Sequence, residues 1–208
     1  MTNSLRNTDT RSSTIEAVAR ALARHRKKTI DDLRLLPAAV LVLLYFEDGE
    51  YKLVLNKRSD LVTDHKGEIA FPGGRMSEDD GSMLETALRE AHEEMGIVPQ
   101  DVEVLGELDD VATISNYRVS PYVGVIPSGY PFQPDSREVA EVLMAPLSAL
   151  EDQTNRRDET RVKDGEMFRT WSYAYDGHLV FGATAAMVTN FLDLLRTVGG
   201  QGLSWQKP

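Results

Sequence analysis

The chain has 208 residues, 41% hydrophobic and 27% charged, the proportions of a globular protein with a sizeable core. A net charge of −10 argues against general affinity for nucleic acid or an anionic membrane, and the lack of cysteine excludes disulfides and thiolate metal sites. No apolar run reaches the roughly 18 residues needed to span a bilayer.

Residues 1–12 read as a polar, frayed tail. Residues 13–28 read as an amphipathic helix with Ile15, Val18, Ala19 and Leu22 on its packed face. Seven basic residues from Arg6 to Lys28 meet only Asp9 and Glu16, a composition that a mitochondrial transit peptide shares; the packed surface helix is the preferred reading. Ala38–Phe46 is a short, nearly continuous apolar run and predicts a buried strand. Asp48-Gly49 then predicts a hairpin to a second strand over Tyr51–Lys57.

Residues 58–76 are loop-like and end in Phe71-Pro72-Gly73-Gly74. Ser82–Met95 carries a helical stripe of Leu84, Ala87, Leu88, Ala91 and Met95, stopped by Gly96. Strands are predicted at Val102–Leu108, Val111–Ile114, Val119–Ile126, Met167–Tyr175 and His178–Phe181, the last two joined by the turn Asp176-Gly177. Ser136–Val142 is ambiguous. Ala185–Val198 predicts a closing helix capped by Gly199-Gly200. The order of elements predicts one α/β domain over residues 37–200, with an N-terminal extension (1–36) and a short C-terminal tail (201–208).

The chemistry is concentrated on the Ser82–Met95 helix. Glu90, Glu93 and Glu94 stand at i, i+3 and i+4, so they share a face, beside the apolar stripe. Such like charges destabilise a helix, the more so near its C-terminus. A hard cation compensates, because Mg²⁺ takes carboxylate oxygens and keeps positions open for phosphate. Taken alone, the cluster is more often a solvated acidic face balanced by Arg89. The Gly73-Gly74 pair before the helix and Gly96 after it favour the cation site, since glycine lets backbone approach a ligand.

Gly74, Asp80 and the run Arg89-Glu90-Ala91-His92-Glu93-Glu94-Met95-Gly96-Ile97 together resemble the signature box of the Nudix hydrolases. Two departures, Asp at position 80 and one extra residue before the Arg, resemble the coenzyme A pyrophosphatase subgroup. So does an upstream signature, Leu55-Asn56-Lys57-Arg58-Ser59 followed by His65-Lys66-Gly67-Glu68-Ile69-Ala70-Phe71-Pro72-Gly73-Gly74. Weaker echoes follow at Ser120–Val123 and Phe181–Ala185.

The resemblance implies an α/β/α sandwich around a mixed β-sheet. It implies hydrolysis of a pyrophosphate bond with Mg²⁺ or Mn²⁺, most closely that of coenzyme A or acyl-CoA. ADP-ribose, dinucleotides and nucleoside triphosphates are the alternative substrates, and a non-catalytic nucleotide sensor the alternative role. It implies Glu90 and Glu94 as primary metal ligands, with Glu93 as a further ligand or the base and the Gly74 carbonyl completing the shell. Arg89 orients a carboxylate. Asp80 is either a ligand or the helix N-cap. Glu138 is a second candidate base. Lys57, Arg58, His65, Lys66 and Gly73 are candidates for holding the substrate, and Tyr117, Tyr122, Phe168 and Tyr173 for stacking on adenine. His92 falls on the solvent side of the helix. A cytoplasmic homodimer acting on a small nucleotide, without nucleic acid or membrane, completes the expectation.

Overall fold

The computed structural model describes residues 2–163 and 166–198, with backbone only at 2–12 and at 161, 163, 166, 168 and 198. Its strands are β1 (Leu36–Glu47), β2 (Glu50–Arg58), β3 (Ile69–Ala70), β4 (Gly73–Arg75), β5 (Glu103–Glu107), β6 (Val111–Ala112), β7 (Tyr117–Ile126), β8 (Val139–Pro146), β9 (Arg156–Lys163), β10 (Glu166–Tyr175) and β11 (His178–Val180). Its helices are α1 (Thr2–Arg24), α2 (Met83–Met95), α3 (Leu147–Glu151) and α4 (Gly182–Val198).

β1 is the spine. It runs parallel to β7 from Leu36 to Tyr45 and antiparallel to β2 and β4 on its other edge, so the main sheet is mixed. The path β3-β2-β1-β7-β5 is extended by β8 on β2 and β6 on β7. A second sheet, β11-β10-β9, stands beside it.

Side chains alternate along a strand, so each face of β1 feeds a different core. Ala39, Leu41, Leu43 and Tyr45 pack with Ala87, Ala91 and Met95 of α2. Ala38, Val40, Val42 and Leu44 pack on the opposite face, in a larger core with α1 and α4. The result is the α/β/α sandwich. Burial on both faces explains the continuous apolar run, and each buried aliphatic side chain contributes about 1.5–3 kcal/mol.

The N-terminal helix is longer at its start and shorter at its end than the sequence implies. It begins at Thr2, within the stretch read as a frayed tail. Ile15, Val18, Ala21 and Leu22 enter the core with α4. It ends at Arg24 because the next residues are drawn onto an acidic pair: the Lys28 N–H donates to Asp109 at 2.9 Å and the Ile30 N–H to Asp110 at 3.2 Å. His25 Nε2 lies 2.7 Å from Asp109. The Gly199-Gly200 cap and the tail 201–208 lie outside the described residues. Among those described, no helix is long and apolar enough to cross a membrane.

Candidate active site

α2 is set by both its ends. Ser82 is the N-cap, its side chain accepting the Glu85 N–H, and Gly96 closes the helix at φ 70°, a left-handed conformation that favours glycine. The apolar stripe locks α2 against β1. The register of that packing places Glu94 inward, Glu90 at the boundary and Glu93 outward, with side chains 3%, 16% and 54% exposed.

Glu94 sits where the outer edge of β1 passes from β2 to β4. One of its carboxylate oxygens accepts the Asn56 side-chain amide at 2.9 Å and the Gly73 N–H at 3.1 Å. The other oxygen lies 3.8 Å from the Arg58 guanidinium. Burial, reinforced by Glu90 and Glu138, pushes the Glu94 carboxyl up to about 8 against the opposing effects of Gly73 and Arg58. Glu90 is also raised, first by burial and then by Glu93 and Glu138, with Arg89 opposing. Glu138 belongs electrostatically to this group, although its side chain is on the surface.

Arg89 ties the outer acids together. Its Nη1 donates to Glu90 at 2.9 Å and Glu93 at 3.0 Å, while Nε and Nη2 fork onto Asp80. Asp80 is therefore neither the helix N-cap nor placed as a ligand. Ser82 occupies the cap, and Asp80 accepts from Arg89, the Ser77 N–H and the Thr86 hydroxyl. Its short side chain reaches the guanidinium, and both of its oxygens are taken.

Gly74 is held against Glu90. A Cβ there would lie 2.5 Å from the Glu90 carboxyl carbon. At Gly73 a Cβ would meet the Ala39 carbonyl oxygen at 2.3 Å. Asn56, not singled out as a functional residue from the sequence, is 1% exposed. The available signal was an amide following three apolar strand residues, Leu53-Val54-Leu55.

Among the described residues, no three acidic or imidazole side chains form a ready-made metal shell. What the site offers is a pair of hard oxygen donors, one buried and one at the boundary. Glu94 is buried with its charge opposed by burial, Glu90 lies against the Gly74 backbone, and the Asn56 Oδ1 is buried without a partner. That donor chemistry fits Mg²⁺ or Mn²⁺ bound by few protein ligands, with further positions left for water or phosphate.

A cavity of about 870 Å³ opens on the α4 side of β1. Arg58, Gly73 and Gly74 belong both to its wall and to the surroundings of the acids; the carboxylates themselves do not line it. His65 lines it too, with its ring held by Glu68 at 3.0 Å. Lys57 and Lys66 are not among its lining residues. Of the aromatic candidates, Tyr117 reaches the cavity. Tyr122 lies under the Lys27 ammonium and Tyr173 is buried against Thr189, which accounts for both. The Phe168 side chain lies outside the described residues. His92 is exposed, as its helix position implies.

The NUDIX domain model matches residues 35–171. The uncharacterised Nudix hydrolase NudL of Enterobacter sp. (strain 638) is 35% identical over 162 residues, covering 78% of this chain and 84% of the relative. NudL of Escherichia coli (strain SMS-3-5 / SECEC) is 36% identical over 136 residues, 65% and 71% of the two chains. The fold resembles that of the Nudix hydrolase RenU of M. smegmatis, at TM-score 0.52 and 20% identity, covering 78% of this chain and 86% of that one. It also resembles a MutT/nudix family protein from Enterococcus faecalis, at TM-score 0.53 and 15% identity, with coverages of 80% and 64%. On the domain match and the extent of the NudL relatives, this chain belongs to the Nudix family of hydrolases.

Proposed function

We propose that this pyrophosphohydrolase cleaves the diphosphate of coenzyme A or an acyl-CoA, giving 3′,5′-ADP and (acyl-)4′-phosphopantetheine. The observation that carries the reading is the junction of its two signatures. Asn56 and Gly73, from the upstream segment, hold Glu94 of the box, and Arg58 of the same segment faces the cavity.

Glu90 and Glu94 would hold Mg²⁺ or Mn²⁺, with Glu93 and the Gly74 carbonyl available beside them. A bound ion of this kind supplies charge neutralisation for phosphate oxygens and a lowered pKa for water. Arg58 offsets the charge of the diphosphate from the cavity side, with His65 near it. Arg89 fixes the directions of Glu90 and Glu93. Of the two candidate bases, Glu93 is engaged by Arg89. Glu138 has no hydrogen-bond or ion-pair partner on its carboxylate among the described residues and interacts with both buried acids. Glu138 is therefore the better placed to take the proton of an attacking water.

Purified protein incubated with coenzyme A, ADP-ribose, NADH and nucleoside triphosphates, with Mg²⁺ or Mn²⁺, tests this by product analysis. Release of 3′,5′-ADP from coenzyme A with the highest kcat/KM is the expected result. Preference for ADP-ribose or a triphosphate would overturn the substrate, and no turnover of any would favour a nucleotide sensor. A cytoplasmic homodimer is part of the same reading; light scattering and cell fractionation check it.

A further inference from the structure

The loop between β7 and β8, residues 127–138, straps the end of the acidic helix. A helix leaves its last four carbonyls without partners of its own. Two of those on α2 are taken by this loop: the Gln133 N–H donates to the Met95 carbonyl at 2.9 Å and the Asp135 N–H to the Glu94 carbonyl at 3.0 Å. Aromatic side chains seat the strap on the body. The Phe132 ring stands edge-on to Tyr45 and Tyr130. The Tyr45 hydroxyl accepts the Gly129 N–H at 3.0 Å, and the Tyr130 hydroxyl accepts the Val98 N–H at 2.8 Å.

Asp135 then turns the chain back towards β2. Its carboxylate accepts the Arg137 N–H at 2.9 Å, which makes an Asx turn, and the Arg137 guanidinium folds onto the same group. Its carbonyl accepts the N–H groups of Glu138 at 2.9 Å and Val139 at 2.8 Å. The Glu138 carbonyl accepts the Ser59 N–H at 2.8 Å, and Ser59 follows Arg58. The main chain of Glu138 is therefore fixed on both sides. Its exposed carboxylate has no anchor of its own among the described residues. Where that carboxylate can reach is set by where its backbone is held.

We infer that Asp135 is a positioning residue for Glu138: its turn, hung from the Glu94 carbonyl, sets how the base stands over the acidic pair. The inference rests on Glu138 as the base and adds what aims it. One residue carries the link, since Asp135 bonds to Glu94 through its N–H and to Glu138 through its carbonyl. A turn that served stability alone would gain little from the exposed Arg137 pair. A base misplaced by about 1 Å can cost about a hundredfold in rate, so the turn matters to turnover. Asp135 does not line the cavity, which puts its effect on kcat and not on KM.

Full-chain variants test this in steady-state assays with Mg²⁺, on whichever of coenzyme A and ADP-ribose the wild type cuts faster. Asp135→Ala loses the Asx turn and is expected to lower kcat about tenfold or more with KM unchanged. Asp135→Asn keeps an acceptor for the Arg137 N–H and should restore kcat to within about threefold of wild type. Glu138→Gln removes the base, and adding Asp135→Ala to it should lower kcat no further, because the two act as one unit. In the metal-free protein, hydrogen exchange at the Glu138 and Val139 amides should speed up in Asp135→Ala and not in Asp135→Asn. Normal kcat or unchanged exchange in Asp135→Ala, a loss that asparagine does not rescue, or losses that multiply in the double variant would overturn the inference while Glu138 stood as the base. Normal kcat in Glu138→Gln would overturn that base, and the inference with it.

Discussion

Arg89 grips Asp80 with two hydrogen bonds, Nε to Oδ1 and Nη2 to Oδ2, both 2.9 Å, and this fork leaves Nη1 to hold Glu90 and Glu93. The guanidinium holds the Asp80 carboxyl well below the usual carboxylate range, with the Ser77 N–H and Thr86 hydroxyl helping and burial opposing. Asp80 is thus a brace for the residue that aims the acids.

Asp80→Asn is expected to keep the shape of this brace and lose its charge. The stabilisation from a lowered carboxylate pKa is fully present above the unfolded value of 3.8 and is lost as pH falls towards the folded one. Denaturant unfolding at pH 7 should show the variant about 1–2 kcal/mol less stable, a cost set by one charge-assisted pair at the protein's edge. The difference should shrink as the pH is taken below about 4.

Glu94→Gln separates activity from stability. A carboxyl raised from 4.5 to about 8 favours the fold at low pH, and that contribution is lost as pH rises between the two values. Without divalent metal, the variant should therefore melt higher than the wild type at pH 8, with the gap closing near pH 5. Mg²⁺ or Mn²⁺ should raise the melting temperature of the wild type and not of the variant, whose turnover should drop by orders of magnitude. A near-normal rate would remove Glu94 from the site.

Asn56→Leu removes one of the two donors that orient Glu94. Activity at fixed metal should drop tenfold or more while circular dichroism stays native. The metal concentration for half-maximal rate should rise, a change that a purely structural role for Asn56 would not produce.

The two glycines should fail differently when substituted. A Cβ at Gly73 strikes backbone, which cannot swing away, so Gly73→Ala should cost about 3 kcal/mol in denaturant unfolding. A Cβ at Gly74 meets first the end of the Glu90 side chain, so Gly74→Ala should keep most of the stability and lose most of the activity.

The acidic helix was legible because its spacing is local: three glutamates at helical intervals, an apolar stripe beside them and a glycine after. The sandwich was legible through β1, whose unbroken apolar run reports burial on both faces. β9 was not. Arg156–Lys163 is mostly charged and no strand is predicted there; pairing with β10 makes it a strand, helped by the Arg156 guanidinium 3.7 Å from the centre of the Trp171 ring. Asp80 was misread for a similar reason. Sequence offers it as a cap or a ligand by position, and only the folded loop shows Ser82 capping the helix and Arg89 filling both Asp80 oxygens. Asn56 gives no periodic signal, because its role depends on a carboxylate 38 positions away.

β1 gives its odd residues to the acidic helix and its even residues to the cavity side. On the function proposed above, a mutation that reshapes the even side changes what the protein selects, and one on the odd side changes whether it reacts. The two can drift independently along a single strand. On that reading, descendants of such a scaffold can exchange one substrate for another while the acidic helix, on the reverse of the same backbone, passes down unaltered.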